Sequence, residues 1–152
     1  MLDADLVGFV HSGVAVAVAT RDESLVPAFT RGWGPAVSSD GRSLTLCVIA
    51  ARGSQTRANL ETNGAIALGF SPPPIARAVQ LKGIAVSVGE PDAAALARAE
   101  RHLDAFCAEA AKVGHPAELP RRLFQRAELV AVTLSVDQVF DQSPGPNAGQ
   151  AL

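Results

Sequence analysis

What the sequence lacks narrows its function first. Aromatic residues make up 5% of the 152 positions, with one tryptophan, six phenylalanines and no tyrosine. A barrel that holds single-stranded nucleic acid needs several stacking rings in a basic groove. Here the formal net charge is −2 and no long basic run occurs, so no nucleic-acid partner is expected. There are two cysteines, Cys47 and Cys107, and they form no CxxC pair. They read as buried free thiols and not as metal ligands or a redox couple. The three histidines, His11, His102 and His115, share no ligand spacing, and no metal site is expected. No apolar run is long enough to span a bilayer, and no basic segment followed by an apolar one opens the chain. The expectation is a cytoplasmic protein with no membrane partner.

What the chain does have is aliphatic. The hydrophobic share is 48%, enough for one domain with its own core. That domain is expected over residues 1–140, followed by a loop-like tail over 141–152, disordered or packed on a partner subunit. Several segments alternate large and small apolar residues with the period of a strand. From Gly13 to Thr20, Val14, Val16 and Val18 share one face and Ala15, Ala17 and Ala19 the other. With both faces apolar, this reads as a central strand covered on both sides. A second strand, Val26 to Trp33, is expected to end where Gly34 and Pro35 break or bulge it. Asp40-Gly41 marks a tight hairpin turn, and a strand follows over Leu44–Ile49.

Further strands are expected over Ala65–Phe70, Ala78–Val88 and Glu128–Phe140. In the second of these the large residues change parity after Gly83, which predicts a bulge near Lys82-Gly83. Short helices are expected over Asp3–Val10 and Arg57–Thr62, with a helical turn over Pro120–Arg126. One long helix opens at Glu90-Pro91-Asp92 and ends at Gly114. Its apolar stripe is Leu96, Ala99, Leu103, Phe106, Ala110 and Val113, and its solvated face Arg98, Glu100, Arg101 and Asp104, with His102 beside them. The sum is an α+β chain, mainly β. Its six or seven antiparallel strands must close into a small barrel to hide their edges, with one long helix and one or two short ones.

Two stretches carry chemistry. Arg52-Gly53-Ser54-Gln55-Thr56-Arg57 gathers two guanidinium groups, two hydroxyls, an amide and a glycine just before a helix, the makings of an anion site. Ser54 and Thr56 also serve as ordinary helix caps. Arg31 lies between Phe29 and Trp33 on one strand face, either as a stacking platform for a flat ligand or as a rim arginine whose stem covers apolar surface. No nucleophile–base pair is evident, and the catalytic residues are unknown at this stage.

These residues, in this order, resemble the FMN-binding split barrel of the pyridoxamine 5′-phosphate oxidase-like superfamily. The resemblance rests on the Asp40-Gly41 hairpin, Ser54-Gln55-Thr56-Arg57-Ala58-Asn59-Leu60, Asn63-Gly64 and Arg77-Ala78-Val79-Gln80-Leu81-Lys82-Gly83, and covers roughly Gly13 to Gly89 plus the final strand. It implies a homodimer that holds FMN at the subunit interface and acts as a small oxidoreductase. The phosphate would lie at Ser54, Thr56 and Arg57, and the flavin near Arg31, Trp33, Gln80 and Lys82. The family has a lysine where this chain has Thr56. That departure opens a second expectation, a non-enzymatic dimeric split barrel that has lost FMN or binds another ligand such as a deazaflavin or haem.

Overall fold

The computed structural model describes residues 1–152. Six antiparallel strands close into a barrel in the order β1-β2-β3-β6-β5-β4. They are β1 (Ala15–Arg21), β2 (Pro27–Val37), β3 (Ser43–Ile49), β4 (Ala65–Ser71), β5 (Val79–Gly89) and β6 (Leu129–Asp141). Helices α1 (Ala4–His11), α2 (Gln55–Thr62), α3 (Ala93–Ala111) and α4 (Glu118–Arg122) surround them. The α+β barrel with one long helix is the architecture expected; the short helices number three. Val14, Val16, Val18, Leu68, Val130, Val132 and Leu134 point inward and are buried, as the alternation requires. At full burial each such side chain contributes roughly 1.5–3 kcal/mol.

Helix α2 closes one end of the barrel. Ser54 caps it by accepting a hydrogen bond from the Arg57 N–H, and Leu60 reaches the core. Asn59 is buried as well, and its amide donates to the Thr20 hydroxyl at 3.0 Å. Helix α3 opens at Asp92, whose side chain caps Ala95, and lies against the outer face of β2 and β3. A second, smaller core fills that layer, built on Trp33, Cys47, Ala95, Ala99, Leu103, Cys107 and Leu129.

Four features depart from the alternation pattern. Strand β2 does not stop at Trp33; it runs on to Val37 through a bulge between Trp33 and Ala36. Gly34 sits in that bulge at φ +61, where an added Cβ would lie 2.6 Å from the Ala99 backbone nitrogen, so the residue allows α3 to approach. The irregularity expected near Lys82-Gly83 is present, and there the unpaired residue is Asp137 of β6. The parity of β5 changes later, at Val86, where a second irregularity falls between Ala85 and Ser87. Ile84 and Val86 are therefore exposed and are not core residues. At Gly83 a Cβ would lie 1.7 Å from the Ser135 carbonyl oxygen, so the two backbones meet where no side chain fits. Finally, the alanine face of β1 is only half-buried and lies open on the barrel's outside.

The residues after Asp141 fold back on their own chain. Gln142 N–H donates to the Ala78 carbonyl and Ala78 N–H to the Ser143 hydroxyl. The last residues pair with β6, through Asp141 N–H to Gln150 and Leu152 N–H to Val139.

Candidate functional site

Strand register assembles the site. On the outer face, Arg31 of β2 pairs with Ala17 of β1, Ala17 with Gly69 of β4, Gly69 with Gln80 of β5, and Gln80 with Phe140 of β6. The next row on the same face runs Phe29, Ala19, Ala67, Lys82 and Gln138. Each row thus has a floor of alanine or glycine two strands wide and larger side chains at both rims. With about 4.8 Å between neighbouring strands, β2 and β5 stand roughly 14 Å apart. The result is a shallow trough with an apolar floor and cationic or amide groups along its sides.

The floor is built to admit a flat surface. A Cβ added at Gly69 would meet only the Ala17 methyl, at 3.6 Å, and would stand in the trough. One rim holds Phe29, which is 66% exposed. On the other, the Lys82 ammonium lies 4.8 Å from the centre of the Phe140 ring, a cation–π contact that leaves the charge in place. At the end of the trough a depression of about 430 Å3 is bordered by Lys82, Ala67, Pro27 and Leu25. Leu25 has φ +66, the one non-glycine residue of the chain in the left-handed region. Backbone strain of this kind clusters at ligand sites.

The seven residues expected at a site divide into three groups. Arg31, Gln80 and Lys82 come together across the trough. Trp33 does not join them. It is 3% exposed, beneath α3, and edge-on to His102, Phe106 and Phe124 with ring centres 6.0, 6.0 and 5.6 Å away. The bulge after Trp33 and the close approach of α3 take its ring out of reach of any outside ligand. Ser54, Thr56 and Arg57 form the third group, at the start of α2. The Ser54 hydroxyl is engaged as a cap at 3.2 Å. Thr56 is buried, and the Arg57 guanidinium pairs with Glu61 one turn on. Of the basic residues nearby, Arg52 has no carboxylate partner and is exposed.

Phe29, expected beside Arg31 as one aromatic of the platform, lies at the trough. Phe140 was not expected there, and nothing short of the β5–β6 register signals it. Burial pushes the Cys47 thiol pKa up from its ordinary value, and the thiol donates to the Ala95 carbonyl with sulfur and oxygen 3.7 Å apart. It is therefore a poor nucleophile. No group of three or more histidine, cysteine or acidic side chains comes together to hold a metal ion. No helix is long and apolar enough to cross a membrane.

No family model matches the sequence, and no curated protein sequence matches it. Solved structures do match the fold. HupZ of Group A Streptococcus superposes with a TM-score of 0.57 at 19% identity, covering 98% of this chain and 100% of that one. An F420 reductase gives 0.57 at 15% identity, covering 87% and 93%. A protein of Lactobacillus delbrueckii described as a candidate pyridoxamine 5′-phosphate oxidase gives 0.56 at 19% identity, covering 91% and 93%. At these identities the likeness establishes the fold alone, a split barrel of six antiparallel strands shared with these structures.

Proposed function

We propose that this barrel binds a flavin, FMN, in the trough between two copies of the chain, and serves as a small oxidoreductase. The observation that carries the reading is the strand register. It sets Arg31 and Phe29 opposite Gln80 and Lys82 across a floor of Ala17, Ala19, Ala67 and Gly69. Among solved neighbours of this fold, one is described as an F420 reductase, one as a candidate pyridoxamine 5′-phosphate oxidase, and one, from Syntrophomonas wolfei, as an FMN-binding protein.

The floor fits a flat ring, and the open trough needs a lid. Phe29 and Ile84, 66% and 43% exposed, flank it, and a second copy laid over them would bury both and exclude water. The bound flavin would supply hydride or electron transfer. The chain's own part is to hold and tune the ring. Lys82 and Arg31 favour negative charge beside it, the Gln80 amide offers hydrogen bonds, and the alanine floor keeps water from one face. At the start of α2, Arg57 would exchange Glu61 for the phosphate. An exposed pair of this spacing contributes only about 0.3–0.5 kcal/mol, so the exchange costs little.

The test is the absorbance spectrum of the purified protein before and after adding FMN, with size exclusion to remove free cofactor. Retained flavin bands in a fraction of dimer size are expected. Arg57→Ala should weaken FMN binding about tenfold or more by removing a charge-assisted contact; unchanged affinity would place the phosphate elsewhere. A second reading has its own observation. Thr56 is 5% exposed where the family has a lysine, which suits a split barrel that has given up FMN. A colourless dimer that stays colourless after soaking would decide for it.

A further inference from the structure

The depression at the end of the trough has a floor of three alanines. Ala19, Ala65 and Ala67 face outward from β1 and β4 and are half-buried. Leu25 and Pro27 border it from the β1–β2 hairpin, and Lys82 borders it from β5. Arg21 adds to the lining, with one guanidinium nitrogen donating to the Asp22 carbonyl at 3.2 Å. The Thr20 hydroxyl, also in the lining, is engaged by the Asn59 amide. No carboxylate lines the depression. Its volume of about 430 Å3 lies within the ~300–1,000 Å3 of small-molecule sites.

Leu25 is the independent observation. The hairpin turns through Asp22-Glu23-Ser24, closed by the Leu25 N–H donating to the Asp22 carbonyl at 3.1 Å, and Leu25 follows at φ +66. That place ordinarily takes glycine or asparagine, because a Cβ crowds the left-handed backbone. Burial of a large side chain can offset the strain, but this leucine is 68% exposed. Folding therefore bears the strain and gains little from the side chain. What the leucine does that a glycine could not is wall the depression. Strain kept without a folding benefit points to a contact made when the depression is filled.

We propose that the depression binds a compact apolar carboxylate, with its body on the alanine floor against Leu25 and its acid group at Lys82. Exposed cations without an acidic partner occur elsewhere on the chain, so Lys82 and Arg21 set only the sign of the ligand's charge. The cavity and Leu25 are what call for a ligand. The floor offers methyl groups and no free hydrogen-bonding side chain, which selects an apolar body. Lys82 supplies a compact ammonium for the acid, and Arg21 adds positive potential beside it. The inference deepens the flavin reading and rests on it for the compound's role. Ala19, Ala67 and Lys82 belong to both trough and depression, so a carboxylate held there is the substrate beside the ring.

The probes are 2-naphthoate and its neutral amide, 2-naphthamide, titrated calorimetrically at constant ionic strength. Saturable binding of the acid is expected, about fivefold or more tighter than the amide. Lys82→Met should weaken the acid by a similar factor and leave the amide unchanged. Leu25→Gly should act in opposite directions on the two properties of the chain. It should weaken both probes and, by relieving the strain, raise the thermal midpoint by about 1–4 °C. No saturable binding, equal affinity for acid and amide, or wild-type affinity in Leu25→Gly would each overturn the proposal. So would a lower midpoint in that variant, since Leu25 would then serve the fold. Loss of a dimer in Leu25→Gly with naphthoate affinity kept would assign the leucine to contact between copies instead. FMN retention is read on the same samples. Naphthoate bound without retained FMN would sink the flavin reading alone, and FMN retained without naphthoate binding would sink this one alone.

Discussion

The barrel interior and the layer between β2 and α3 are both buried, but they are built on different terms. Inside the barrel are 20 buried side chains, aliphatic apart from two phenylalanines. A closed sheet already pairs its backbone groups, and the polar pair at its end, the Asn59 amide donating to the Thr20 hydroxyl, satisfies itself. The outer layer has seven buried residues, among them both cysteines and the tryptophan. It is closed by one helix and bordered by an open cleft. All three buried side-chain nitrogens without a partner, Trp33 Nε1 and the two of His102, lie in or beside this layer. The difference teaches where stability resides: the interior specifies the fold, and the outer layer holds an imidazole and an indole at the cost of burying their nitrogens.

The largest expected effect lies inside. Leu68→Ala, at a site with no exposed surface, should cost about 2–5 kcal/mol, read from urea unfolding. A cost under about 1 kcal/mol would mean that the interior is looser than its packing implies. Next comes the acid response of the outer layer. The folded-state pKa of His102, about 4, lies below its ordinary 6.5 because burial disfavours the charged ring. The unfolded chain therefore binds the extra proton first, and stability falls as pH drops from about 6.5 to about 4. The loss is at most about 3 kcal/mol. His102→Phe should flatten this slope in melts at pH 7 and pH 4.5, while Leu68→Ala should leave it unchanged.

Gly34→Ala tests the contact between the two layers. The new methyl must enter a backbone with φ +61 and push against Ala99, at a cost of about 1–3 kcal/mol. Loosening of α3 should shift Trp33 emission towards the red. The smallest effect on folding is expected at the trough. Gly69→Val meets only a methyl at ordinary contact distance and should change stability by less than about 0.5 kcal/mol. It should nonetheless abolish flavin retention by filling the floor; a valine variant that still holds FMN would move the ring elsewhere.

Much of the barrel was legible because strand alternation reports directly on burial. Val14, Val16 and Val18, and Val130, Val132 and Leu134, face inward as their spacing says. What alternation does not contain is the partner across the sheet. The alanine face of β1 looked doubly covered, and only the pairing of β1 with β4, and of β4 with β5, shows it to be the floor of a trough. The Arg31–Trp33 platform failed for a related reason, since the bulge at Gly34 and the approach of α3 are long-range facts. His102 was more accessible than that. Ala95, Ala99, His102 and Phe106 recur at helical spacing, so the residue read as a neighbour of the solvated face falls within the packed stripe.

The pairing of the last residues with β6 has a consequence for assembly. Strand β3 accompanies β6 only as far as Ser135, so beyond that point β6 would present bare N–H and C=O groups on one side. The hydrogen bonds from Leu152 to Val139 and from Asp141 to Gln150 occupy that stretch. With the barrel closed and this gap sealed from within, the sheet has little edge left for another chain to extend. A contact between copies of the chain would therefore have to run through side chains on the faces of the barrel, where single substitutions alter it, and not through the β-pairing that drives fibrous aggregation.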